Sequence, residues 1–285
     1  MLSRMIGRSL LLGLVPLFVA CGGGGDGGEG SENGGDNGGA QAAPVDLSNA
    51  GSITGTVTFT GSPAAPEPID MSAEEQCASA HQTPPTTERA VVGTGGALAN
   101  VFVYLKEGVP AGEWPRPDNA VVLDQEGCQY RPHVLGVQTG QNIEIRNSDG
   151  ILHNINTTPE ANRGFNISQP TTMTSNRSFT TPEVMIPVRC DVHGWMEAYI
   201  GVQSHPYFEV TEANGQFTLN NVPPGDYVIE AWHELYGVRT ANVTVQAGAP
   251  ATVDFTFDAS TAGTAPLGEP LVVHHAGGHD VGEES

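Results

Sequence analysis

From Ser52 onward the chain alternates. Ile53, Gly55, Val57 and Phe59 stand between serines and threonines, the period of two expected of a strand with one face buried. Residues 101–105 (Val-Phe-Val-Tyr-Leu) predict a second strand. Further strands are predicted over 120–123, 133–137, 142–146, 185–189 and 197–202. A later set is predicted over 207–210, 216–219, 227–232, 241–245 and 252–257. Only 72–80 looks helical, with Ser72 and Glu75 at capping-box spacing. The Pro- and Trp-bearing stretch 113–117 breaks the pattern. Many short strands at this rhythm predict an all-β chain built of β-sandwiches.

The N-terminus departs from this pattern. Arg4 and Arg8 precede an apolar run from Leu10 to Ala20 that is too short to span a bilayer. The run ends in Phe18-Val19-Ala20-Cys21. That tetrapeptide resembles the lipobox of bacterial lipoproteins, although Phe18 stands where Leu is usual. The resemblance implies removal of residues 1–20 and lipid on Cys21, with Gly22 favouring the outer membrane. The alternative is an ordinary secretory cleavage that leaves Cys21 free. Residues 22–39 hold eleven Gly and four acids among eighteen positions, a spacer that cannot build a core. The Gly/Ala/Pro-rich tail beyond residue 259, with His274, His275 and His279, is expected to lie outside the fold.

The formal charge of −21, with Lys106 the single lysine, becomes two units more negative once Arg4 and Arg8 leave with the leader. Such a surface repels nucleic acid and favours basic partners, or simply keeps the protein soluble. An exported chain meets an oxidising compartment, so Cys77 and Cys128 are expected to pair. Metal binding by one of them with His81 or His133 is the other reading.

The run Cys190-Asp191-Val192-His193-Gly194-Trp195-Met196, taken with His153 upstream, offers a thiolate, two imidazoles and a thioether. These are the donors of a mononuclear copper electron-transfer site, with two His and one Cys in a plane and a weak axial Met. A tight loop between two strands can bring Cys190, His193 and Met196 to one point. Singly, each residue also has a plain structural use: a turn histidine, a buried thiol, a core methionine. Trp195 is read as packing, or as a shield for the metal edge.

These segments resemble the cupredoxins, in the short-loop, amicyanin-like form. Cys128-Gln129-Tyr130-Arg131-Pro132 and the stretch from Val137 to Ile143 look like the family's opening strands. Asn147-Ser148-Asp149 leading to His153-Asn154 looks like its first-ligand segment. The resemblance implies one copper ion on His153, Cys190, His193 and Met196, with Asn154 steadying the cysteine loop and His193 as the more exposed ligand. It covers 117–206. Around it, Gly215-Gln216-Phe217, the stretch from Asn221 to Tyr227 and the stretch from Ala241 to Val245 resemble the carboxypeptidase regulatory-like, prealbumin-like sandwich. That second, smaller module is expected to be split into 50–116 and 207–259 around the cupredoxin Greek-key sandwich. His205 and His233 are read as ordinary interface histidines.

The expected function is a membrane-tethered periplasmic electron carrier with a redox-protein partner such as a basic cytochrome. Copper delivery without electron transfer, or a structural envelope lipoprotein, are the alternatives. No Ser/His/Asp order, P-loop, paired carboxylates or HExxH is present, so an enzyme is not expected.

Overall fold

A computed structural model describes residues 45–261. The leader, Cys21, the glycine spacer and the histidine tail lie outside the described residues. The strands are β1 (Gly51–Thr60), β2 (Phe102–Glu107), β3 (Val121–Gln125), β4 (Tyr130–Arg131), β5 (Val134–Gln138), β6 (Ile143–Asn147), β7 (His153–Thr157), β8 (Asn166–Gln169) and β9 (Met173–Arg177). They continue as β10 (Glu183–Arg189), β11 (Glu197–Gln203), β12 (Phe208–Val210), β13 (Gln216–Val222), β14 (Gly225–His233), β15 (Gly237–Val245), β16 (Pro250–Thr252) and β17 (Phe255–Asp258). One α-helix, α1 (Glu75–Ser79), interrupts them.

The described residues form four sheets, and residue alternation along the strands stacks them in order. In β1, Ile53, Val57 and Phe59 point into a core shared with Val103 and Leu105 of β2 and with Ile229 and Ala231 of β14. β1 pairs with β13, β16 and β17, whereas β2 pairs with β12 and β14, and β14 also with β15. The alternate residues of β2 and β14, Phe102, Tyr104 and Trp232, face away from that core. They meet Val134 of β5, Met185 of β10 and Tyr199 of β11 in a middle layer. The other face of β11, carrying Ala198, Ile200 and Val202, packs on Leu123, Ile143 and Ile145 in a third layer. The β5-β11-β10-β7-β8 and β4-β3-β6-β9 sheets enclose that layer, the second sandwich core. A strand covered on both faces needs no polar side, which accounts for the nearly continuous apolar run of β2.

Strands from both ends of the chain thus share the first core, and residues 121–203 build the second sandwich. The segment between β1 and β2 contributes no strand to any of the four sheets. It places Ile69, Met71 and Cys77 in the second core, although the sequence assigns 50–116 to the other module.

Three differences from the sequence reading have local causes. The helix is only five residues long, and its N-cap is Glu74, with no side-chain cap bond. Ser72 is instead tied into a turn, its N–H donating to Asp70 Oδ1 at 2.9 Å. β8 and β9 were not expected, because they read Asn-Ile-Ser-Gln and Met-Thr-Ser-Asn-Arg. β9 is largely exposed and lies at a sheet edge, where burial does not demand apolar residues. β7 was missed because its buried positions include His153 and Asn154.

Candidate metal centre

β7 and β10 are antiparallel neighbours, with Arg189 opposite Asn156. The start of β7 and the end of β10 therefore meet at one edge of the sandwich. His153 opens β7, and Cys190 follows β10. The chain then turns tightly: Met196 N–H donates to His193 O at 2.9 Å, and Cys190 N–H to Met196 O at 3.3 Å. This turn folds His193 back over Cys190.

His153, Cys190 and His193 converge, each offering a ligand atom, with all three atoms within 4.8 Å of one another. The two imidazoles meet through Nδ1, 2.9 Å apart, and Cys190 Sγ lies 3.8 Å from His193 Nδ1. Both inner nitrogens thus share the space beside the sulfur. Met196 is 1% exposed and belongs to the same apolar cluster as Cys190.

The groups around the three donors fix their direction. His153 Nε2 lies 2.8 Å from Asp149 Oδ2. The Asp149 carboxylate also accepts the backbone N–H groups of Gly127 at 2.6 Å and Cys128 at 2.8 Å. Burial alone would raise the Asp149 carboxyl, but these donors hold it below the usual range. Asn154 steers the loop: its Oδ1 accepts the Asp191 N–H at 2.6 Å, and its Nδ2 donates to Asp191 Oδ2 at 2.9 Å. Asn156 and Asn166 donate to the same carboxylate. The Asn154 carbonyl accepts the Tyr130 hydroxyl at 2.6 Å.

The electrostatics suit a cation. Burial pushes the Cys190 thiol up, but hydrogen bonds from His153 and His193 and from backbone N–H groups outweigh it and bring it down to about 6. A thiolate is therefore accessible near neutrality. Burial pushes His153 down, yet Asp149 and the Cys190 sulfur raise it to about 9. The two directions together describe a sulfur ready to lose its proton beside imidazoles, a setting in which a cation can replace that proton. One sulfur and two imidazole nitrogens, each backed by a partner, match the donor set of copper and also accommodate zinc.

Cys77 and Cys128 are bonded to each other, as expected, which removes them as ligands with His81 or His133. His81 Nε2 instead lies 2.8 Å from the Gly127 carbonyl, and His133 pairs with Glu234. One finding departs from the expectation: His193 was to be the more exposed ligand, but it is only 3% exposed. Its Nε2 lies 3.8 Å from Cys77 Sγ, and its ring lies 5.2 Å from that of Trp195. Trp195 Nε1 donates to the Cys128 carbonyl at 3.0 Å.

Asp149 was missed as a supporting residue, although its place four before His153 in a Gly-containing turn was a usable signal. The contact of Cys77 with His193 joins residues 116 apart in the chain, and no local pattern foretells it. His205 and His233 lie away from this cluster, in the first core's surroundings. His205 bonds the Leu105 carbonyl, and His233 Nδ1 accepts backbone N–H groups of Leu235 and Tyr236.

No curated protein matches the chain. Among solved structures, a copper-containing nitrite reductase from Thermus scotoductus SA-01 aligns at 20% identity and a TM-score of 0.29, over 34% of this chain and 24% of that one. The chain thus spans about a quarter of the reductase's length. A mutant of amicyanin in its Cu(I) form aligns at 18% identity and a TM-score of 0.26, over 35% of this chain and 98% of that one. An oxidized amicyanin mutant gives 18% and 0.27 over the same shares. These neighbours are cupredoxins. Residues 200–258 match the family model of the carboxypeptidase regulatory-like domain.

Proposed function

We propose that this chain binds one copper ion and carries single electrons. In this reading Cys190, His153 and His193 would hold the ion, with Met196 as the fourth, weaker ligand. The observation that carries the proposal is the convergence of His153, Cys190 and His193, from two separate segments, within 4.8 Å. Copper would supply the Cu(II)/Cu(I) couple. The chain's own residues do the rest: Asp149 holds His153, Asn154 holds the cysteine loop, and the surrounding apolar core excludes water. A dry, fixed shell of this kind controls solvent access and so tunes a redox centre.

The lipobox-like leader supports a bacterial envelope lipoprotein, anchored at Cys21 in the outer membrane and facing the periplasm. No helix among the described residues is long and apolar enough to cross a membrane. The charge of −21 favours a basic redox protein as partner and disfavours nucleic acid. Substrate turnover has no part in this reading.

Copper delivery without electron transfer is the second reading. The covered His193 closes the imidazole edge expected to pass electrons, and delivery would require that cover to open.

Adding one equivalent of Cu(II) to purified protein lacking the tail histidines, and recording visible and EPR spectra, tests the proposal. An intense thiolate-to-copper band that Cys190→Ala abolishes supports it. Colourless binding sinks the electron-carrier reading, and a coloured centre with no reversible one-electron wave favours delivery.

A further inference from the structure

The outer nitrogens of both imidazoles lead to a single covalent unit. His193 Nε2 meets Cys77 Sγ at 3.8 Å. His153 Nε2 meets the Asp149 carboxylate, which is held in turn by the Cys128 N–H. Cys77 and Cys128 are joined as a disulfide. Trp195 adds a third link through the Cys128 carbonyl.

The segment that carries Cys77 to this point is tied down near its ends, where the Ala64 N–H donates to the Tyr236 hydroxyl at 3.2 Å and Arg89 pairs with Glu197 at 3.0 Å. Residues 61–90 form no strand with either sandwich. Their one bridge, Pro68 with Thr86, closes the segment on itself. In α1 the single buried residue is Cys77, while Glu75, Gln76, Ala78 and Ser79 are exposed. Ile69 and Met71 anchor the entry to the segment, and His81 reaches the Gly127 carbonyl. Gly127 makes that approach with φ of +63°, a conformation that favours glycine. The bond to Cys128 is the one covalent tie between this segment and the loop beside the site.

We infer that the Cys77–Cys128 disulfide closes the His193 side of the metal centre. Water, small anions and chelators reach that ligand only when the bond is broken and α1 lifts. The inference deepens the copper reading and rests on it for metal exchange, but not for the closure itself. It also accounts for a histidine ligand with 3% exposure in a loop whose neighbours Asp191, Val192 and Gly194 are exposed. A disulfide acting only as a staple would change stability and leave access to His193 as it was.

The test uses the full chain and the double variant Cys77→Ala with Cys128→Ala. In metal-free protein, deuterium exchange at the imidazole C2 position is followed by mass spectrometry for each histidine. The expected result is an increase of about tenfold or more at His193, with His205 unchanged as an internal reference for local opening. An unchanged His193 overturns the inference, and so does an equal rise at His205, which would mean general loosening. Should the variant fail to fold, folded native protein is treated with a phosphine. The phosphine takes oxygen from water and becomes the oxide, and the disulfide takes two electrons and two protons and becomes two thiols. The same exchange measurement is then read.

The second arm follows loss of Cu(II) from the loaded protein to a chelator. Loss is expected to be about tenfold or more faster in the double variant. Equal loss rates in protein that does bind copper overturn the inference and leave the copper reading standing. Absence of copper binding in the native protein overturns the copper reading, and the exchange arm still decides the closure.

Discussion

Gly136 and Gly201 lie opposite each other on the parallel strands β5 and β11, and the Phe102 ring from the other sandwich rests on both. A Cβ on Gly201 would stand 2.6 Å from Phe102 Cζ and 2.8 Å from Met185 Cε. One on Gly136 would stand 2.7 Å from Phe208 Cδ2 and 3.0 Å from Phe102 Cε2. Neither glycine has a positive φ, so close approach and not backbone freedom explains them. Together they make a bare patch where the middle layer joins the two sandwiches.

Gly201→Val should therefore destabilise the protein by about 1–3 kcal/mol through overpacking. Phe102→Ala should cost about 3–5 kcal/mol by opening a void. Because the added methyl groups of the first would enter the space vacated by the second, the double variant should lose less than the sum. Urea midpoints of the four proteins check this, and strict additivity would contradict the packing relation.

Asp149 links the centre to the disulfide loop. Asp149→Ala removes the acceptor of His153 Nε2 and leaves the Gly127 and Cys128 N–H groups without theirs. Loss of such a supporting carboxylate should lower metal affinity about 10–100-fold. A chelator-competition titration measures it. Asp149→Asn retains an acceptor but not the charge, and should fall between the two. An affinity equal to that of the native protein would show that His153 is oriented by packing alone.

Asn154 acts on the cysteine side. Asn154→Ala removes the bonds to the Asp191 N–H and carboxylate and the contact with Cys190 Sγ at 3.4 Å. Asp191 keeps Asn156 and Asn166, so the loop should loosen without being lost. The expected cost is about 1–3 kcal/mol in the metal-free protein, from partners left unsatisfied. A shifted thiolate-to-copper band should accompany it. Chemical denaturation and the visible spectrum read the two effects separately.

The candidate donors were legible because three of them fall within seven residues, where loop geometry is local. The strands of the apolar sheets were legible because burial on one or two faces writes directly into composition, as in β1 and β2. What escaped depends on partners far along the chain. His193 reads as exposed when only its loop is considered, and Cys77 covers it from 116 residues away. β7 carries buried polar side chains whose partners, Asp149 and Asp191, satisfy them, and a pattern of apolar positions does not record such pairs. The strands before residue 108 and after residue 207 that share the first core were legible as strands because they keep their alternation. That Ile69, Met71 and Cys77 cross over to the second core follows from tertiary packing, which three short side chains in a Pro-rich stretch do not announce.

His205 gives the chain a pH dependence whose sign is fixed by its bonds. Its Nε2 lies 3.0 Å from the Leu105 carbonyl, and its Nδ1 accepts the Tyr207 N–H at 3.2 Å. Both are satisfied only by the neutral ring, with its proton assigned to Nε2 by these partners. Burial brings its pKa from the usual 6.5 down to about 4. Between those values the unfolded chain binds a proton that the folded chain does not, so stability rises with pH across the window. The contribution is complete above 6.5 and is lost as pH falls toward 4. Its size is about 3 kcal/mol, from roughly 1.4 kcal/mol per pH unit. In His205→Gln the group no longer titrates, so the stability advantage of the native protein over this variant should shrink by about that amount between about pH 7 and about pH 4. His133 and His233 titrate in both proteins and cancel from the difference. Urea denaturation of the two proteins at several pH values measures it, and a difference independent of pH would mean that His205 is solvated in the folded chain.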